Sequence, residues 1–131
     1  MAQAQGSLRT DGGRIDGSIG TALVAGDVTL GAGWGTTPVL AITTGSSDQR
    51  GRLTITCDAT AAQATSTIAI AFSNGAYSSA PFVRVQVYSD NAITDSGSVR
   101  VATVSTTGFT ATLDVLPVDT KIYVFDYDCI A

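Results

Sequence analysis

The sequence contains no histidine and no glutamate, and Lys121 is its only lysine. Without histidine the usual general base and the commonest metal ligand are both missing. Without glutamate, any carboxylate chemistry falls to aspartate alone, which supplies all 11 acidic residues. No G-x-S-x-G motif occurs, and no imidazole exists to activate a serine hydroxyl. These absences predict no catalytic, cofactor-binding or metal-binding residue: the chain reads as a non-enzyme. Seven basic residues against 11 acidic ones give a net charge of −4 and a pI of about 4.3, without the basic footprint that phosphate binding needs. Nucleic acid is therefore not an expected partner. No apolar run approaches the roughly 20 residues of a membrane span, and MAQAQGSLRT lacks the apolar core of a secretory signal. No membrane partner is expected either. The only cysteines, Cys57 and Cys129, fall inside apparent strands and read as buried free thiols. A single disulfide would require an oxidising compartment that nothing in the sequence supports.

What the chain does contain is Ala, Gly, Ser, Thr and Val. Strong helix formers other than Ala are scarce, whereas β-branched residues and turn formers are plentiful. Its 131 residues are enough for one domain with a core. Residues 1–18, MAQAQGSLRTDGGRIDGS, offer only Leu8 and Ile15 to a core and predict an extended N-terminal arm. Residues 19–131 are the predicted folded domain. Thr21–Val24 and Val28–Leu30 flank Gly26-Asp27, which predicts a tight hairpin turn with glycine at positive φ. Further strands are expected at 39–43, 52–57, 67–72, 82–88, 98–104, 109–115 and 121–130, each bounded by Gly, Pro, Ser, Asn or Asp. Alternation places Leu53, Ile55 and Cys57 on one face, then Ile68, Ile70 and Phe72, then Tyr123, Phe125, Tyr127 and Cys129. Eight or nine short, evenly spaced strands predict an all-β domain, an antiparallel β-sandwich or jelly roll. No second domain and no short-period repeat is visible.

Three groups of residues carry alternatives. Asp126 and Asp128 lie two apart on one strand, about 7 Å between Cα atoms. They could hold Ca²⁺ or act as a carboxylate pair, or form a solvated or trimer-edge face, and the last is the simpler reading. Tyr88, Asp90, Asn91 and Asp95 sit in YSDNAITDSGS, either a ligand loop or a polar hairpin loop; the spacing matches no EF-hand. Trp34, between Gly33 and Gly35, is a stacking platform for a sugar, a plug at a core edge, or a subunit contact. The glycines around it form no phosphate loop, because no Lys-Ser or Lys-Thr follows and no helix is visible.

GTALVAGDVTL, at residues 20–30, resembles the start of small β-sandwich modules on the surface of tailed bacteriophages. AFSNGAYSSAPFVRVQV (71–87), with its aromatic-x-x-x-Pro-x-Val layout, STTGFTATL (105–113) and KIYVFDY (121–127) are similar to the same group, which includes trimeric fibre tips and the related H-type lectin sandwich. Where many fibre tips end in a Trp-Ile-Ala-type strand, this chain has Phe125-Asp126-Tyr127, so no sugar site is carried over. The resemblance implies a virion structural protein on the outer surface of the particle, assembled in the host cytoplasm as a homotrimer. Apolar residues on both faces of the last strand, Ile122 and Val124 opposite Tyr123 and Phe125, also favour a trimer. Two roles compete. One is a capsid decoration protein bound to the major capsid protein through its arm, with Arg9 and Arg14 on shell carboxylates and Leu8 and Ile15 in apolar pockets. The other is a tail or head fibre tip that binds a host-surface glycan, with Trp34, Tyr88, Asp90 and Asn91 as candidate contacts. A start at Met1 with no shaft or coiled coil favours decoration.

Overall fold

A computed structural model describes residues 21–59, 66–72, 77–90, 99–114 and 117–131. The strands are β1 (Val28–Leu30), β2 (Val39–Ile42), β3 (Arg50–Thr56), β4 (Thr67–Ala71), β5 (Phe82–Asp90), β6 (Val99–Val104), β7 (Gly108–Leu113) and β8 (Ile122–Ile130). They form two antiparallel sheets of four, ordered β1-β4-β7-β6 and β2-β3-β8-β5. Among the described residues there is no α-helix, and the fold is the expected all-β sandwich. The 1–18 arm, with Leu8, Arg9, Arg14 and Ile15, lies outside the described residues.

Period-two alternation decides which side chains enter the core. Leu53, Ile55, Tyr123, Phe125, Tyr127 and Cys129 face inward from one sheet; Ile68, Ile70, Phe109, Ala111 and Leu113 face them from the other. Antiparallel pairing fixes the register, with Leu53 opposite Phe125, Ile55 opposite Tyr123 and Ile70 opposite Phe109. A one-residue slip would turn each of these to solvent. Cys57 and Cys129 are buried free thiols. Burial, with Asp58 and Asp119 nearby, pushes the Cys57 thiol up to about 11. Burial, then Asp128 and Asp48, pushes Cys129 up to about 12.

The hairpin expected around Gly26-Asp27 does not form. Residues Ala25–Asp27 make a single 3-10 turn, closed by the Asp27 carboxylate accepting the Val24 N–H at 3.0 Å, and Gly26 is not among the positive-φ glycines. Thr21–Val24 is not a strand. Its backbone joins the loop before β3 through the Ala22–Ser47 bridge, Leu23 N–H to Ser46 O at 3.0 Å, and Asp48 N–H to Thr21 O at 3.1 Å. Burying Leu23 there frees β1 to pair with β4 on the opposite sheet.

Candidate functional site

The outward positions of the sheet β2-β3-β8-β5 form a lattice whose composition changes row by row. Across one end run Val39, Thr56 and Ile122, and beside them Ala41, Thr54 and Val124. Next comes Arg52–Asp126–Gln86, then Arg50–Asp128–Arg84, and at the far end Ile130 faces Phe82. Two charged rows thus lie between apolar ones. The exposed large hydrophobics mark both ends: Phe82 at 79% and Ile130 at 53% on one, Val39 at 63% and Ile122 on the other.

Within the charged rows, the Arg52 guanidinium holds both Asp126 oxygens, Nε at 2.7 Å and Nη2 at 3.0 Å. Arg84 reaches Asp128 at 3.4 Å from a side chain that is largely exposed. Arg50, on the other side of Asp128, has no carboxylate within ion-pair distance among the described residues. An open groove of about 870 Å³ crosses this face and continues to β6, where Arg100 pairs with Asp114 at 3.1 Å. All four described arginines line it, Arg50, Arg52, Arg84 and Arg100, in a chain whose net charge is −4. Four guanidiniums thus stand against two lining carboxylates, Asp126 and Asp128.

The loop between β2 and β3 sets these arginines in place. Gly45 takes φ 93°, a conformation that glycine adopts without strain. Ser46 Oγ then accepts the Arg52 N–H at 3.0 Å, and Ser47 Oγ accepts the Gln49 N–H at 3.1 Å. From below, the Tyr127 hydroxyl donates to Ser47 O. Gly51 lies opposite Tyr127, and a Cβ there would sit 2.7 Å from the Tyr127 hydroxyl. A side-chain-free position between Arg50 and Arg52 is therefore required by packing. Asp48, in the same loop, is buried, its Oδ1 without a hydrogen-bond partner among the described residues. Burial, followed by the Cys129 and Asp48 charges, raises the nearby phenols, Tyr77 to about 12 and Tyr127 beyond the ordinary tyrosine range.

Among the described residues, Trp34 and the Asp126–Asp128 pair singled out in the sequence lie in different places, one in the core and the other on the outer face. Trp34 is fully enclosed. Its ring meets Tyr123 and Phe125 edge-on at 5.5 and 5.6 Å, and Nε1 donates to Thr67 O at 2.9 Å. A ring with no exposed face is not a sugar platform, so the ligand reading of Trp34 is corrected to a core plug. The flanking glycine has a packing reason: Gly35 takes φ 110°, and a Cβ there would sit 2.1 Å from the Asp58 carboxylate that accepts from Thr37 Oγ1 at 3.0 Å. Asp126 and Asp128 do share a face, each paired with a different arginine, and both side chains stay partly exposed to solvent. Tyr88 and Asp90 lie on the last residues of β5, and their side chains, with Asn91 and Asp95, fall outside the described residues. Among the described residues no cluster of three metal-ligating side chains occurs, and no helix is long and apolar enough to cross a membrane.

Sequence reasoning missed the arginine rows. The signal was present: Arg50-Gly51-Arg52 and Asp126-Tyr127-Asp128 each place like charges two apart, and Arg84 alternates with Val83 and Val85. Only the register, which brings the three strands side by side, turns them into a surface. No family model, no curated protein and no solved structure matches the chain.

Proposed function

We propose that the chain is a non-enzymatic structural module of a tailed-bacteriophage virion: a capsid decoration protein that forms a homotrimer and binds the major capsid protein on the outer shell. The observation that carries this reading is the outer face of β2-β3-β8-β5. Its two aspartates are held by arginines of the neighbouring strands, with Arg50 beside them, and exposed Phe82, Ile130 and Val39 border the charged rows. Such a surface suits contact with another protein, where apolar area supplies affinity and charges fix register. It is poorly suited to acid–base chemistry, because its carboxylates are engaged by guanidiniums. The sequence resemblance to phage surface sandwiches supports the same assignment. The fibre-tip alternative rests on that resemblance alone, since enclosure of Trp34 removes its best aromatic platform.

Immunogold labelling of virions with antibody to this chain tests the location. Label over the head is expected; label confined to the tail would replace decoration with the fibre reading, and unlabelled particles would end both. Sedimentation of the purified protein at micromolar concentration should give the trimer mass. A stable monomer would remove the trimer from the proposal.

A further inference from the structure

Resting on the reading of an assembly module, we propose that the Arg50–Asp128–Arg84 row, with the neighbouring Phe82–Ile130 pair, is the docking surface, and that it takes a protein segment carrying a carboxylate beside a large apolar side chain. Three features of the lattice point to that partner. First, the row holds two guanidiniums around one carboxylate, with Arg84 at 3.4 Å from Asp128 and Arg50 outside ion-pair distance of any described carboxylate. One positive charge, that of Arg50, is therefore in surplus in the row. Arg50 and Arg84 stand two strand spacings apart, roughly 9–10 Å between Cα atoms, on either side of Asp128. A guanidinium that already shares one carboxylate keeps further N–H donors for a second.

Second, the adjoining row is apolar and open. Phe82 and Ile130 face each other across β5 and β8, 79% and 53% exposed, on the same side of the sheet as the arginines. A partner with only charge would leave this pair in water; a partner with only apolar side chains would leave Arg50 without a counter-charge. A segment with both groups satisfies the two rows together. Third, the setting is complementary at long range. The four described arginines gather on this groove while the chain as a whole carries −4. An acidic partner is thus steered to this groove.

The test uses the full-length protein, particles lacking it, and Arg50→Glu, Arg84→Glu and Phe82→Ser variants, with Lys121→Glu as a charge-matched change away from the groove. Both arginines are exposed, so their variants should melt with the parent; Arg50→Gln and Arg84→Gln serve if they do not. Expected are a tenfold or greater loss of particle binding for each of the Arg50, Arg84 and Phe82 variants, parent-like binding for Lys121→Glu, and competition by poly-L-glutamate that weakens with added salt. Parent-like binding by Arg50→Glu and Arg84→Glu would overturn the docking surface and leave the assembly role intact. Should the wild type bind no particle, the assembly role fails, and the groove is judged on poly-L-glutamate alone. Binding that is lost in the arginine variants sustains it, and binding that persists refutes it. A drop in the sedimentation mass of the protein alone, caused by the arginine variants, would make the occupant a second copy and overturn the proposal. Equal competition by double-stranded DNA would overturn the carboxylate assignment.

Discussion

The two outer faces of the sandwich are built on the same alternating frame and carry opposite chemistry. On the β1-β4-β7-β6 sheet the outward rows are Thr29–Ala69–Thr110–Thr103 and Thr67–Thr112–Arg100. They are short, mostly neutral side chains of high β-propensity that suit a solvated pleat, and their one charged member, Arg100, is paired with Asp114 where the groove reaches β6. On the β2-β3-β8-β5 sheet the equivalent positions hold the Arg52–Asp126 and Arg84–Asp128 pairs between exposed apolar residues. Stability alone accounts for the first face. It does not call for the second, because exposed ion pairs contribute only about 0–1 kcal/mol each and Phe82 gains little while 79% exposed. A face that adds charge and apolar area without a return in folding is better explained by contact with something else.

The strongest way to break the comparison is to remove the layer both faces share. Trp34→Ala should lower stability by about 3–5 kcal/mol, since the indole fills the interior against Tyr123 and Phe125 and its N–H satisfies Thr67 O. Gly51→Val should act similarly from the opposite end by forcing a side chain into the Tyr127 hydroxyl. Urea titration measures both. An exposed, ligand-contacting Trp34 would instead leave stability nearly unchanged.

Alkaline pH reaches the same interior without mutation. Cys57 rises from 9.0 to about 11, Cys129 from 9.0 to about 12, and Tyr77 from 10.0 to about 12, in each case mainly through burial. These folded values lie above the unfolded ones, so the folded chain holds protons that the unfolded chain has released. Their contribution is complete below about pH 9 and is lost as pH climbs from there to about 12. Urea midpoints should be level from pH 7 to 8.5 and then fall. A Cys57→Ala, Cys129→Ala chain should begin its fall nearer pH 10, where only tyrosines remain to titrate. Midpoints that held level to pH 11 would contradict the burial of these groups.

The difference between the faces was half legible in the sequence. Inward positions followed from alternation, and Leu53, Ile55, Ile68, Ile70, Tyr123 and Phe125 are all where that alternation puts them. Trp34 was harder, because a tryptophan among glycines reads equally as a loop platform or a plug, and only the 3-10 turn at Ala32–Trp34 turns its ring inward. The Gly26-Asp27 hairpin failed because local turn chemistry competed with a distant backbone partner, the 46–48 segment, which no local window contains. The arginine rows were invisible for the same reason. Arg52 and Asp126 are 74 residues apart, and their adjacency depends on which strands pair and in what register.

Among the described ion pairs, Arg52–Asp126 should have the largest coupling. It is bidentate and half-buried, so a double-mutant cycle with Arg52→Ala and Asp126→Ala should yield about 0.5–1 kcal/mol. The Arg84–Asp128 cycle should give less, because Arg84 is 77% exposed and the contact is 3.4 Å. Both couplings should shrink in high salt. If Arg84–Asp128 proved the stronger, that row would belong to the folding of the sheet and its availability to a partner would be in doubt.

The smallest effect is expected on the threonine face, and it sharpens the comparison most. Thr29 and Thr103 are exposed, on the edge strands β1 and β6, where a charged side chain is well tolerated. Thr29→Lys and Thr103→Lys should each change stability by less than about 0.5 kcal/mol. They also leave the groove untouched, so particle binding should match the parent even though each adds a positive charge to a chain at −4. That combination separates the effect of local lattice chemistry from that of net charge. If either lysine variant weakened binding as much as Arg84→Glu, the contact would lie on the threonine sheet, and the assignment of passive and docking faces would have to be reversed.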